Sequence, residues 1–229
     1  MTERPPATLR LADVRKSYET PSGPLWVLRG ITFEMKAGES LAIIGPSGAG
    51  KSTLLHLIGT LDRPTSGTIE VDGRNPHDLP EPKLAALRNR RIGFVFQDHH
   101  LLPQYSALEN ILLPALASRT DGGSALVRAR ELLSRVGLTG RADHRPSELS
   151  GGERQRAAVA RAVINEPGLV LCDEPTGSLD EAAAGGVADL LLDLHAQERS
   201  ILIVVTHSLS LAARFGRRFR LTEGVCSEA

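Results

Sequence analysis

The residues best placed to do chemistry form Gly45-Pro46-Ser47-Gly48-Ala49-Gly50-Lys51-Ser52, followed by Thr53. This is the spacing G-x-x-x-x-G-K-[ST]. It comes after an apolar run, Leu41-Ala42-Ile43-Ile44, and before a segment, Thr53 to Ile58, that reads as a helix. In that setting glycines let the backbone curl until successive N–H groups face phosphate oxygens, and the helix start adds partial positive charge. Lys51 then reaches the β- and γ-phosphates, and the Ser52 hydroxyl ligates Mg²⁺. A glycine turn with a purely structural role is the bland alternative, and the strand–loop–helix setting weighs against it. A second acidic site closes the apolar run Leu169-Val170-Leu171-Cys172 with Asp173-Glu174. A carboxylate at the C-terminal edge of a parallel sheet suits Mg²⁺ for Asp173 and proton acceptance from water for Glu174, against the plainer option of a solvated strand end.

Elements must carry these groups. Thr8 to Tyr18 alternates apolar and polar residues, as a half-buried strand does. Leu25 to Met35 reads as a second strand broken at Gly30, and Thr68 to Val71 as another, closed by an Asp72-Gly73 turn. Leu84 to Arg91 reads as helix, and Ile92 to Phe96 as a short buried strand ending at Gln97. From Asp98 to about Asn165 the apolar residues recur at helical spacing, with breaks at Gly122-Gly123, Gly137 and Pro146. Continuous apolar runs return at Leu169 to Cys172 and Ile201 to Val205, separated by a helix from about Glu181 to Gln197. Such runs alternating with helices predict a parallel sheet covered on both faces. Arg217 to Ala229 reads as one more strand with a turn at Glu223-Gly224.

Composition bounds the rest. The chain has 229 residues and a formal net charge of zero, which suits one domain and does not favour a general nucleic-acid surface. The two cysteines, Cys172 and Cys226, lack metal-ligand spacing, and Cys172 reads as a small buried hydrophobe in a reducing compartment. Met1 to Pro6 lacks the apolar region of a secretory signal, and no run approaches the roughly 20 apolar residues that span a bilayer. Membrane contact is therefore expected to be indirect, through another polypeptide. His99, His100, His144 and His195 fit no pattern and read as surface or packing residues, and Arg214, Arg217, Arg218 and Arg220 as a solvated face.

A third motif sharpens the reading. Leu149-Ser150-Gly151-Gly152-Glu153-Arg154-Gln155-Arg156 opens a helix, with Ser150 as N-cap and Glu153 completing a capping box. The two glycines leave bare N–H groups at a positive helix end, a second anion site. Together with the loop and the acidic strand end, this resembles the signature motif of the ABC (ATP-binding cassette) ATPases, over nearly the whole chain. The resemblance implies an α/β fold: a RecA-like P-loop NTPase core over 1–97 and 166–229, with an antiparallel β subdomain and a helical subdomain over 98–165.

It also implies roles. Tyr18 matches the aromatic that stacks on adenine, and Gln97 the glutamine that senses Mg²⁺ and the attacking water. Ser178-Leu179-Asp180 matches the loop that crosses between subunits, and His207 the histidine that touches the γ-phosphate. ATP and Mg²⁺ are the implied cofactors. The implied partners are a second copy, whose Ser150 to Gly152 completes each ATP site head-to-tail, and two integral-membrane permease subunits at the cytoplasmic face of a bacterial inner membrane. Asp98 to Asn110 is similar to the corresponding segment of the subfamily of lipoprotein-releasing ATPases, macrolide-type exporters and a cell-division ATPase. His56 to Gly59, Asp62 to Gly67 and His144 to Glu148 resemble the lipoprotein-releasing members most. Ser178, Ser208 and Cys172 depart from the usual Asn, acid and Ala there. The competing classes are an exporter or cell-division ATPase, a soluble ABC protein of DNA repair or translation, and a P-loop small-molecule kinase.

Overall fold

A computed structural model describes residues 6–118 and 122–229; Met1 to Pro5 of the stretch read for a leader lie outside the described residues. In chain order the elements are β1 (Thr8–Thr20), β2 (Gly23–Lys36), β3 (Ser40–Ile44), α1 (Lys51–Ile58), β4 (Ser66–Val71), α2 (Glu81–Arg91), β5 (Ile92–Val95), α3 (Ala107–Ala117), α4 (Gly122–Arg135), α5 (Gly151–Val163), β6 (Leu169–Asp173), α6 (Glu181–Glu198), β7 (Ile201–Thr206), α7 (Leu209–Ala212), β8 (Arg217–Thr222) and β9 (Val225–Glu228). They build a three-stranded sheet, β2-β1-β4, and a six-stranded sheet, β5-β6-β7-β3-β8-β9. The first is antiparallel. The second is parallel except for β9.

The apolar runs are continuous because each strand of the large sheet feeds two cores. Leu41 and Ile43 of β3, Leu169 and Leu171 of β6, and Ile201, Ile203 and Val205 of β7 enter one core, closed by α1 and the antiparallel sheet. Ala42 and Ile44, Val170 and Cys172, and Leu202 and Val204 enter the other, closed by α3, α4, α5, α6 and α7. Fully burying such a Leu, Ile or Val side chain contributes about 1.5–3 kcal/mol, so alternate residues stabilise both faces of one strand. Cys172 is buried in the helical core, and burial pushes its thiol pKa up. The helices of 98–165 share that core with the sheet.

Four expectations need correction. The tail is a hairpin of two strands, β8 and β9, paired from Phe219–Glu228 to Thr222–Val225 across the Glu223-Gly224 turn. Strand β2 does not end at Gly30 but slips in register there, with Val14 facing Ile31 and Arg15 facing Arg29; Gly30 has φ +102, and a Cβ on it would come 2.7 Å from Asp13 Oδ1. The break expected at Gly122-Gly123 lies just ahead of it: α3 ends at Ala117, and the two glycines are the first residues of α4. Helix α1 starts at Lys51, two residues ahead of Thr53, so the lysine of the loop is already helical. Among the described residues no helix is long and apolar enough to cross a membrane.

Candidate functional site

Parallel pairing sends the C-terminal ends of β5, β6, β7 and β3 to one edge, where α/β ligands bind. Across that edge stand Gln97 just past β5, Asp173 and Glu174 at the end of β6, His207 just past β7, and the Gly45–Ser52 loop after β3. Residues far apart in the chain thus converge because their strands are neighbours.

The loop itself is shaped by glycine. Gly48 and Gly50 sit at φ +77 and +99, left-handed values that disfavour any residue with a Cβ. A Cβ on Gly45 would come 2.2 Å from the Leu221 carbonyl, so β8 tolerates only glycine there. Gly50 is the N-cap of α1 and offers no side-chain cap. The Lys51 ammonium donates to the carbonyls of Gly45 at 2.9 Å and Pro46 at 3.0 Å. A lysine curled over its own loop in this way carries its charge to the centre of a ring of backbone groups. Pro46 also accepts from Ala49 N–H at 3.3 Å, which tightens the turn through Ser47. Ser52 and Thr53 follow on the first turn of α1.

Glu174 and His207 meet directly. The His207 backbone N–H donates to Glu174 Oε2 at 3.2 Å, and the ring Nδ1 lies 3.0 Å from Oε1. Glu174 is bent at φ +45, its N–H donating to Val205 and its carbonyl accepting from Gly177. A Cβ on Gly177 would come 3.4 Å from the Gln97 amide nitrogen, so Gln97 reaches the same neighbourhood. Side chains assigned separate tasks on sequence grounds therefore form one cluster. Burial is uneven: His207 is exposed whereas Glu174 is mostly covered.

The signature motif builds a different helix start. Ser150 Oγ accepts from Glu153 N–H at 3.2 Å, and Glu153 Oε2 accepts from Ser150 N–H at 2.7 Å, the reciprocal pair of a capping box. The bond from Ser150 N–H, aided by Arg141, holds the Glu153 carboxyl below its ordinary pKa. Gly152 lets α5 approach α6: a Cβ there would come 3.2 Å from Ala183. Asp180 caps α6, accepting from Ala183 N–H at 2.8 Å, so its carboxylate is engaged within its own chain. The nearest atoms outside α5 that a Cβ on Gly151 or Gly152 would meet belong to Leu179 and Ala183, not to the phosphate loop. Gln155 of α5 ties to Phe96 at the end of β5, and β5 lies three strand spacings from β3, about 14 Å.

Tyr18 stands near the end of β1, its hydroxyl donating to Asp62 Oδ2 at 2.9 Å. Burial, then the Asp62 carboxylate, raises its pKa.

Residues not singled out from the sequence fasten the segment after Gln97. Gln155, only 2% exposed, donates to the Phe96 carbonyl at 3.0 Å. Arg154 Nε donates to His99 Nε2 at 3.0 Å, and Arg161 donates to the carbonyls of His99 and His100 at 2.6 Å each. His99 is thus a packing residue, and burial, then Arg154, lowers its pKa. Fully buried Asn110 accepts from Leu102 N–H at 2.7 Å and donates to the carbonyls of Leu102, Tyr105 and Ser106. A lone asparagine among the apolar residues of α3 was the available signal for this. Part of the face expected to be solvated is also paired: Arg214 with Asp189, and Arg217 with Glu39.

A family model described as "ABC transporter" matches residues 28–177. The chain is 51% identical over 216 residues to the lipoprotein-releasing system ATP-binding protein LolD 1 of Rhodopirellula baltica, covering 94% of each. It is 50% identical to LolD of Pseudomonas fluorescens over 95% of this chain and 96% of that one. Among solved structures, a dimeric post-hydrolysis state of the ATP-binding cassette MJ0796, bound to ADP and Pi, superposes with a TM-score of 0.89 at 37% identity, covering 96% of this chain and 97% of that one. Motifs, edge geometry and these matches agree: the chain belongs to the ABC transporter family, as an ATP-binding cassette.

Proposed function

We propose that this chain hydrolyses ATP to power release of lipoproteins from the bacterial inner membrane toward the outer one. The observation carrying this reading is half-identity, over nearly full length, to relatives named as lipoprotein-releasing ATP-binding proteins. Lys51 and the N–H groups of Ser47 to Thr53 hold the phosphates, and Tyr18 stacks on the base. Glu174 accepts the proton of the attacking water. His207, held by Glu174, touches the γ-phosphate, and Gln97 orients the water. Ser52, Asp173 and Gln97 offer hard oxygen donors with a single carboxylate, a set that fits Mg²⁺, which takes few protein ligands and keeps its waters. Bound there it would offset the charge of the phosphates.

A second copy supplies Ser150, Gly151, Gly152 and the loop around Asp180; what supports this is that the chain's own signature glycines pack beside Leu179 and Ala183. Loss of the γ-phosphate removes the ligands shared by both chains, so the pair opens. The helices over 98–165 dock on two permease subunits of the LolC/LolE kind, which keep the chain at the cytoplasmic face of the membrane.

Two measurements test this. Glu174→Gln should cut turnover by at least about a hundredfold and accumulate an ATP-bound dimer seen by light scattering, whereas unchanged turnover would remove Glu174 as the base. Co-purification should recover two related permeases, and the assembly should release a lipoprotein from proteoliposomes on ATP addition. Recovery of a single homodimeric permease would sink the lipoprotein reading.

A further inference from the structure

Tyr18 is an aromatic side chain, 42% exposed, near the end of a strand. Left alone, such a ring samples several rotamers, and a ligand that needs one of them pays an ordering cost on binding. Two residues outside the assigned site remove that freedom. The Lys16 ammonium lies 4.7 Å from the ring centroid, over one face. It also donates to Asp62 Oδ1 at 2.7 Å and to the Arg63 carbonyl at 2.8 Å. The other oxygen of Asp62 accepts the Tyr18 hydroxyl. Lys16 is itself almost buried, its side chain 11% exposed, so this is a built contact rather than a surface pair.

The anchor leads back to the phosphate loop. Asp62 and Leu61 donate their N–H groups to the His56 carbonyl on α1, the helix that the phosphate loop opens. Burial alone would raise the Asp62 pKa, but the bonds from Lys16, Arg63 N–H and Tyr18 outweigh it and keep the group ionised. With Lys16 over one face of the ring, only the opposite face can receive a flat ligand.

We propose that Lys16 and Asp62 are positioning residues that hold Tyr18 as a pre-set stacking platform for the base of the nucleotide. The proposal rests on the reading of Tyr18 as the base-stacking residue. It predicts that losing either group weakens binding of a nucleotide that has a base, and leaves a base-free polyphosphate alone. Stacking tolerates any base, so ATP and GTP should suffer alike.

The test is calorimetry on the full chain with ATP, and separately with inorganic tripolyphosphate, for Tyr18→Ala, Asp62→Asn, Lys16→Met and Lys16→Arg. Asp62→Asn and Lys16→Met should each raise the Kd for ATP about three- to tenfold, the effect of losing one or two charge-assisted bonds, with tripolyphosphate unchanged. Lys16→Arg should recover most of the loss. In a Tyr18→Ala background neither change should cost anything further. If Tyr18→Ala itself leaves ATP binding intact, the stacking reading fails and takes the proposal with it. If Tyr18→Ala weakens ATP but Asp62→Asn does not, or if both ligands weaken together, the stacking reading stands and the positioning role is overturned.

Discussion

The phosphate loop and the signature end are both glycine-rich helix starts, yet they are built in opposite ways. Helix α1 begins at Gly50 with no side-chain cap, and its basic group, Lys51, is turned onto the loop's own carbonyls. Helix α5 begins at Ser150 with a complete capping box, its first-turn acid already bonded to the cap N–H. The first start lacks any carboxylate and concentrates positive charge. The second has part of its helix dipole answered by Glu153. The contrast teaches that two glycine-rich helix starts can be built to different ends: one leaves its N–H groups without a side-chain partner, the other answers them within its own first turn.

Substitutions can break that contrast. The largest effect is expected at Lys51→Ala, which deletes the cation of the uncapped start; ATP affinity should fall on the order of a hundredfold by calorimetry, with the melting temperature changing little. Next comes Gly50→Ala. It forces a Cβ at φ +99 and 2.9 Å from Val27 Cγ1, so the fold should lose about 1–3 kcal/mol in denaturant titration. Gly152→Ala is the matched change at the other start, where only the Ala183 methyl at 3.2 Å must give. It should cost less than about 1 kcal/mol of stability while impairing ATP-dependent dimer formation. Equal destabilisation by the two alanines would erase the distinction between a strained loop and a close helix approach.

Ser150→Ala removes one half of the capping box and should cost about 1 kcal/mol, with ATP binding to the isolated chain unaffected. The smallest effect is acid-linked. The folded Glu153 pKa lies below its ordinary value of 4.5, so its contribution is present above that pH and is lost as pH falls through the folded pKa. The lowering rests chiefly on one cap hydrogen bond and an ion pair whose Arg141 is half exposed, so the change should be slight in stability. It should still be visible as a shift of the Ser150 amide resonance in acid, absent in Glu153→Gln. Amides of the phosphate loop, which has no such cap, should not follow that titration.

Much of this molecule is written locally. The loop G-x-x-x-x-G-K-S, the strand Leu169 to Cys172 ending in acids, and the cap Ser150 with Glu153 each depend on residues a few positions apart. Spacing of that kind is dictated by backbone geometry, so it is legible without a fold. The two-strand tail was missed because an exposed edge strand such as Val225–Glu228 has no apolar alternation to betray it.

What required tertiary structure were pairings across the chain. Tyr18 meets Asp62 across 44 positions, Glu174 meets His207 across 33, and Gln155 meets Phe96 across 59. Nothing in the spacing of a polar residue names its partner, because which polar groups meet depends on strand order and helix placement. The amino-acid order alone supplied the chemistry of each half-site. Only the folded sheet decided that Gln97, Glu174, His207 and the phosphate loop share one edge, and that the signature helix is tied to the end of β5 through Gln155. The reason is geometric: parallel strands order the ends of distant segments side by side, and their order is set by two-sided burial rather than by sequence proximity.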